Sequence, residues 1–303
     1  MRQAQISTWG GKPKLLEVHD LPPPEPDEVR IKIEATGVHR VVRSRATGKH
    51  YTSGKLPHIP GIDGVGTTDD GRRVYFCDFT TGSISEYINV PICSVYPVPD
   101  GVDARQIAGA INPAMSSWMA FKERTSNLPK DFTVLILGAT SASGRVAIPL
   151  ARALGAKQVI GAARSRAALD TLGLDRTIVV ASEAEQTDFS NLDDVDVVLD
   201  YVYGPLAVHL FKSLMTPKPV QYVHIGALSN TEISLPGEVL RSKDITIRGS
   251  GPGAWKMSSF AQTLPDLLAA MSSIPEQPVK VAKFEDVERE WHYSGPDRLV
   301  FVP

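Results

Sequence analysis

The sequence predicts an α/β protein in which a β-rich, barrel-like domain accompanies a doubly wound parallel sheet. From residue 1 to about 110, short alternating or apolar runs such as VRIKIEATGV and ISEYINV are separated by Gly, Pro and Asp, a pattern typical of antiparallel strands rather than helices. From about residue 133, six apolar runs, from TVLILG to DITIRGSG, recur at intervals of roughly 20 residues. Helical stretches separate most of these runs, which indicates a parallel sheet.

Individual elements can be justified from spacing. In GRVAIPLARALGA, the apolar residues Val146, Leu150 and Leu154 fall on one helical face, and Gly155 then ends the helix. Pro149 predicts a bend, because a proline beyond the first turn removes a hydrogen bond. The tail EREWHYSGPDRLVFVP predicts a helix-like segment, a turn and a final strand that returns to the first lobe. We therefore expect one domain from residues 1–110 and 252–303, and a second from residues 111–251.

Composition favours small-molecule chemistry. The 303 residues carry 32 Lys+Arg and 34 Asp+Glu, with no long run of one sign that would bind nucleic acid or anionic lipid. The N-terminus lacks an apolar core of signal-peptide length, and no run approaches the roughly 20 apolar residues of a membrane span. We therefore expect a cytoplasmic protein with no nucleic-acid or membrane partner. Two cysteines are too few for a disulfide framework, and we expect both thiols to be buried.

The segment VLILGATSASG places a small-residue turn between a strand and a helix, where nucleotide-binding folds hold a pyrophosphate. The turn, Gly138 to Gly144, departs from the spacing GxGxxG. Backbone N–H groups at a helix N-terminus can still bind the phosphates, because small side chains let the backbone approach closely. Such turns also make ordinary corners in α/β proteins, so the flanking strand and helix support the prediction. The expected cofactor contacts are Thr140, Ser141, Ala142, Ser143 and Gly144.

The residues after the next strand predict which dinucleotide is bound. An acidic residue there, about 20 positions beyond the turn, would bind the ribose 2′-hydroxyl of NAD. This chain has Arg164 and Ser165 in VIGAARSRAAL, and a guanidinium suits a 2′-phosphate. The sequence therefore favours NADPH. The alternative is that Arg164 and Arg166 are solvated residues that open a helix, although cations are slightly unfavourable at that end.

The turn GATSASG is also similar to the loop of the short-chain dehydrogenases. Those enzymes require a Tyr-xxx-Lys motif on a helix downstream of the loop. No tyrosine after residue 138 has a lysine four positions on, and the single match, Tyr51 to Lys55, precedes the loop among Gly and Pro residues. The short-chain family is excluded by order and context.

The order of several segments resembles the zinc-independent, zeta-crystallin-like quinone oxidoreductases of the medium-chain dehydrogenase/reductase superfamily. The similar segments cover nearly the whole chain: PPPEPDEVRIKIEATGV, LPHIPGIDGVG, GRRVYF, PAMSSWMAF, ARALGAKQVIGAARS and DRLVFVP. The resemblance implies a GroES-like catalytic domain, a Rossmann domain that binds NADP(H), and a homodimer. The chain departs from the family after LPHIPGIDGVG, where a strand-loop-strand is shortened, so the acceptor cannot be carried over.

The resemblance also implies site residues. Tyr51 matches the pocket tyrosine of the family, and a phenol can donate a proton to the reduced acceptor. Ser116 matches a hydroxyl residue beside the nicotinamide. Gly226 matches a strand end that approaches the cofactor closely, and Tyr203 and Gly204 would do the same at the end of a second strand. In zinc-dependent relatives the metal ligands would fall near His39, Ile62 and Asn112, and only the histidine is a good ligand, so no metal is expected. His39 is either a second catalytic candidate in the pocket or an ordinary turn residue.

These observations predict an NADPH-dependent, metal-free reductase that transfers a hydride to a quinone or an α,β-unsaturated carbonyl. Such acceptors are already activated, so the main demands are orientation and a donor for the oxygen on which charge develops. An enoyl-thioester reductase is the nearest enzymatic alternative. A non-catalytic NADPH sensor or structural protein is the alternative of a different class, and the presence of Tyr51 and Ser116 favours catalysis over it.

Overall fold

The chain folds into two compact units. The computed structural model describes residues 1–215, 217–295 and 297–303. Residues 1–113 and 261–303 form the first unit, and residues 114–260 form the second. The first half contains β1 (Arg2–Gln5), β2 (Lys14–Glu17), β3 (Glu28–Gly37), α1 (Arg40–Ala46), β4 (Asp63–Thr68), β5 (Arg73–Cys77), β6 (Tyr87–Pro91), β7 (Val95–Pro97) and α2 (Ala104–Arg124).

The elements of the second half alternate between strand and helix through most of its length. They are β8 (Thr133–Leu137), α3 (Ala142–Ala153), β9 (Gln158–Ala163), α4 (Arg166–Leu169), β10 (Arg176–Val179), β11 (Val197–Asp200), α5 (Pro205–Ser213), β12 (Val220–His224), α6 (Gly237–Ser242), β13 (Ile245–Gly249), α7 (Met257–Met271), β14 (Val279–Lys283), α8 (Val287–Glu290) and β15 (Arg298–Val302).

The sheet of the first unit is mainly antiparallel. Its order is β14-β15-β3-β4-β5-β7, with β6 also paired to β3. Strand β3 is central because its alternating sequence buries Ile31 and Ile33 in the core, against residues such as Phe76 and Phe301. Each such buried aliphatic side chain contributes about 1.5–3 kcal/mol. The closing strand β15 pairs with β3, with Phe301 opposite Thr36, so the tail returns to the first lobe as predicted.

The second unit contains a parallel sheet in the order β10-β9-β8-β11-β12-β13. Each of the six predicted apolar runs forms one of these strands. The chain winds outward from β8 through β9 to β10, and then in the opposite direction from β11 to β13. Adjacent strands whose connections leave in opposite directions open a crevice at their carboxyl ends. The predicted combination of a doubly wound parallel sheet with an antiparallel sheet domain is confirmed.

Several features differ from the expectations. The first half contains α1 and the long α2, which its strand-like punctuation did not indicate, and α7 and β14 precede the predicted tail. Strand β14 runs parallel to β15 because the connection between them includes α8. The turn predicted in SGPD includes Pro296, which lies outside the described residues. Cys77 is buried, but Cys93 is exposed, so the expectation of two buried thiols is wrong for Cys93.

Candidate functional site

The turn between β8 and α3 is closed by its own backbone. Gly138 has φ +87°, a left-handed conformation that favours glycine, and the N–H groups of Gly138 and Ala139 both donate to the carbonyl of Ala162 on β9, at 2.8 and 3.1 Å. Ser141 caps α3, and its hydroxyl accepts from the N–H of Gly144 at 3.1 Å. A Cβ at Gly144 would lie 2.7 Å from Cα of Ala139. The helix start is thereby held directly against the strand end.

This geometry fits the phosphates of a dinucleotide. Thr140, Ser141, Ala142 and Ser143 are all half-buried, so their backbone remains partly accessible. The first N–H groups of a helix have no partner within the helix, and the positive end of the helix dipole favours an anion. The predicted contacts are thus brought together at one helix start, on the strand from which the sheet winds in both directions.

Arg164 follows β9, the strand next to the phosphate turn. It is exposed and forms no ion pair with any residue that the structure describes. The next two residues, the predicted Ser165 and the neighbouring Arg166, are engaged locally. Ser165 caps α4 by accepting from the N–H of Ala168 at 3.2 Å, and Arg166 pairs with Asp170 at 2.8 Å. Of the two arginines in this segment, Arg166 is thus paired, whereas Arg164 has no ion pair within the described residues.

Tyr201 is a buried side chain near which Ser116, Gly138 and Gly226 come together. The hydroxyls of Ser116 and its neighbour Ser117 lower the pKa of the Tyr201 phenol. A Cβ at Gly138 would lie 3.4 Å from Tyr201 Cβ. A Cβ at Gly226 would lie 3.2 Å from the Tyr201 carbonyl. Burial raises the pKa of Tyr201 to about 12, which the two serines oppose, so the phenol stays neutral. Ser116 and Gly226 thus border the same part of the second unit.

In the first unit, His39 belongs to a buried polar chain. His39 precedes α1 and is 2% exposed, and its Nε2 lies 3.1 Å from Oδ1 of Asp63, which is 0% exposed. The Tyr75 hydroxyl donates to Oδ2 of Asp63 at 2.9 Å. Adjacent antiparallel strands carry the two residues, since Asp63 begins β4 and Tyr75 lies on β5. Within the described residues, Nδ1 of His39 is buried and has no hydrogen-bond partner.

The surroundings of this chain keep the Tyr75 phenol protonated and place a cation, Arg298, nearby. Burial, followed by the charge of Asp63, raises the pKa of Tyr75 well above its ordinary value, so Tyr75 remains a hydrogen-bond donor. Arg298 is close enough to be affected by Asp63, and burial lowers the pKa of Arg298 to about 10, which leaves it a cation at neutral pH. A carboxylate that receives a phenol on one oxygen can orient an imidazole with the other. The sequence does not indicate the pairing of Asp63 with His39, because the strands of the folded sheet bring the two residues together.

Tyr51 is placed differently. Its side chain is 71% exposed in the loop between α1 and β4, and its ring stacks on His50 with a centroid separation of 4.3 Å. Across the described ranges, no hydrogen bond or ring contact joins Tyr51 to His39. The structure therefore does not bring the two predicted catalytic residues together.

Among the residues with a described position, no group of three or more His, Cys, Asp or Glu side chains is arranged to hold a metal ion. No helix in the same part of the chain combines the length and apolar character needed to cross a membrane.

Known proteins resemble this chain along its full length. It is 33% identical, over 356 aligned positions covering 100% of both chains, to the probable NADPH-dependent quinone reductase tdiC of Emericella nidulans. The quinone oxidoreductase of Thermus thermophilus, whose structures include a complex with NADPH, superposes with a TM-score of 0.82 at 22% identity and covers 100% of both chains.

A thermostable alcohol dehydrogenase from Pyrobaculum aerophilum superposes with a TM-score of 0.77 at 23% identity, covering 100% of this chain and 99% of that one. The two structural likenesses show the fold alone, and they include both a quinone oxidoreductase and an alcohol dehydrogenase. No protein-family model matches the chain.

Proposed function

Because this chain belongs to the quinone oxidoreductases of the medium-chain dehydrogenase/reductase superfamily, we propose that it is an NADPH-dependent reductase of quinones or α,β-unsaturated carbonyls. The observation that carries the proposal is the capped turn from Gly138 to Gly144 beside an unpaired Arg164 in the described part of the chain. The first feature offers backbone donors to a pyrophosphate, and the second offers a cation to a 2′-phosphate. The tdiC protein is named as a probable NADPH-dependent quinone reductase, which supports the same chemistry.

We assign cofactor binding to the second unit. Thr140, Ser141, Ala142, Ser143 and Gly144 would hold the pyrophosphate, and Arg164 with Ser165 the 2′-phosphate. Ser116 and Gly226, which meet around Tyr201, would border the nicotinamide half. NADPH, when bound, supplies a hydride to the acceptor.

We assign the proton donor to the first unit. Hydride addition to a quinone leaves an anion, and one further proton completes the hydroquinone. A protonated His39 can give that proton from Nδ1, because its other nitrogen is held by Asp63. Asp63 would orient the ring and stabilise the imidazolium, while Tyr75 occupies the second carboxylate oxygen. Tyr51 remains the second candidate donor, on an exposed loop.

Three further expectations belong to the proposal. The reaction would need no metal, since His39 is the single good ligand at the positions where zinc-dependent relatives bind theirs. The protein would act as a homodimer in the cytoplasm. Sedimentation of the purified protein tests the dimer, and cell fractionation tests the location.

The proposal is tested by mixing the purified protein and NADPH with ortho-quinones, para-quinones, enones and enoyl thioesters in turn. We expect NADPH oxidation with quinones or enones, with unchanged rates after chelator treatment. Turnover confined to enoyl thioesters would move the assignment to that class. Tight NADPH binding without turnover by any acceptor would instead indicate a sensor.

A further inference from the structure

The carboxyl ends of β11 and β12 lie on the side of the phosphate turn opposite to Arg164. The sheet order places β9 on one side of β8, and β11 followed by β12 on the other. A dinucleotide lies across such a switch point with its pyrophosphate at the turn. If Arg164 after β9 receives the 2′-phosphate, the adenosine half occupies the β9 side. The nicotinamide half must then extend over the ends of β11 and β12.

Two rings meet at those strand ends. His224 is the last residue of β12, and Tyr203 follows β11; their ring centroids are 4.1 Å apart at an interplanar angle of 33°. Both side chains are half-buried, so part of the pair remains accessible. Tyr203 has φ +60°, a left-handed conformation that costs a non-glycine residue about 1 kcal/mol or more. Such strain persists only where the surroundings hold it.

Asp200 holds the pair in place. Its Oδ1 accepts from the N–H groups of Val202 and Tyr203 at 2.6 and 2.9 Å, and its Oδ2 accepts a short hydrogen bond from the Tyr222 hydroxyl. Asp200 also lies directly opposite His224 in the parallel register. The fully buried carboxyl group thus fixes the turn that carries Tyr203 and the strand end that carries His224.

His224 has a ring nitrogen that nothing in the described chain uses. Its Nδ1 is buried and has no hydrogen-bond partner among the described residues. Burial lowers the pKa of His224, against the opposing charge of Asp200, so the ring is neutral at pH 7. A neutral imidazole presents one donor and one acceptor, so one of its nitrogens can pair with either the N–H or the carbonyl of a carboxamide.

We propose that His224, packed against Tyr203, contacts the nicotinamide half of NADPH, and that Asp200 is the positioning residue for this pair. The inference rests on the proposed use of NADPH. It adds a polar side chain to a region for which the sequence indicated only close backbone approach.

The test measures the binding of two fragments, reduced nicotinamide mononucleotide and 2′,5′-ADP, together with NADPH. We expect His224→Leu to weaken the mononucleotide and NADPH about tenfold, because a hydrogen bond and a ring contact are lost, and to leave 2′,5′-ADP unchanged. His224→Gln, which keeps a donor and an acceptor, should retain more of the mononucleotide affinity. Asp200→Asn should weaken the binding of the mononucleotide and leave the binding of 2′,5′-ADP unchanged.

The matched control is His209→Leu, a half-buried histidine of the same unit whose Nε2 lies 2.9 Å from the Thr187 carbonyl. This variant should leave the binding of both fragments unchanged. Unchanged mononucleotide binding in His224→Leu, or equal weakening of both fragments, would overturn the inference. If the fragment pattern holds but no acceptor oxidises NADPH, the inference stands and the proposed reductase function fails.

Discussion

At the residue scale, we expect Arg164 to determine which cofactor is bound. It is exposed beside the phosphate turn and has no carboxylate partner in the described ranges, whereas Arg166 is paired with Asp170. Arg164→Ala should weaken the binding of NADPH about tenfold or more and leave the binding of NADH unchanged, because a charge-assisted contact to the 2′-phosphate is lost. Cofactor fluorescence titration measures both affinities. Arg166→Ala is the control, and equal losses in the two variants would exclude a specific role for Arg164.

A second residue-scale prediction concerns Asp63. Asp63→Asn keeps the size of the side chain but removes the charge that would stabilise a protonated His39. We expect kcat for quinone reduction to fall at least about tenfold, with NADPH affinity unchanged. Asp78→Asn is the matched control, because Asp78 is also buried in the first unit but accepts from Thr80 and Thr81. An unchanged kcat in Asp63→Asn would mean that the chain of His39, Asp63 and Tyr75 is structural.

At the element scale, the junction of β8 and α3 depends on Gly144. A Cβ there would overlap the Gly138 carbonyl and the Ala139 backbone, neither of which can rotate away. Gly144→Ala should therefore lower the free energy of unfolding by about 1–3 kcal/mol and weaken NADPH, as denaturant unfolding and titration would show. Gly249→Ala is the control, since a Cβ there meets nothing within 4 Å. Equal stability of the two variants would contradict the described junction.

Elements with a strong local sequence pattern could be predicted, whereas elements whose pairing depends on other parts of the chain could not. The runs of the inner strands β8, β9 and β11 are recognisable from the sequence because both faces of these strands are buried. Strand β14, VKVAK, is half-exposed and short, so its pairing with β15 is set by the tertiary structure. The same distinction applies to the residues of the candidate site. The phosphate turn is contiguous in sequence, whereas Asp63 reaches His39, and Tyr222 reaches Asp200, only across neighbouring elements.

At the scale of the whole molecule, buried histidines predict how stability varies with pH. Burial lowers the pKa of His58 and His224 below the ordinary value of about 6.5. Below about pH 6.5 the unfolded chain binds protons that the folded chain does not, so the free energy of unfolding should fall as the pH is lowered. Urea unfolding at pH 7 and pH 5 measures this. The double variant His58→Gln, His224→Gln should show a smaller change, and an equal or larger one would contradict this origin.

For the molecule as a whole, the proposed reaction is the transfer of a hydride from NADPH to a quinone. The most direct measurement is a single turnover in which protein loaded with NADPH is mixed with a quinone, and the loss of cofactor fluorescence is followed in time. NADPH would carry deuterium at one or the other transferable position of the nicotinamide. We predict a first-order loss that is slowed by deuterium at one position only. Persistence of NADPH with every quinone, or a loss of fluorescence that neither label slows, would exclude this hydride transfer.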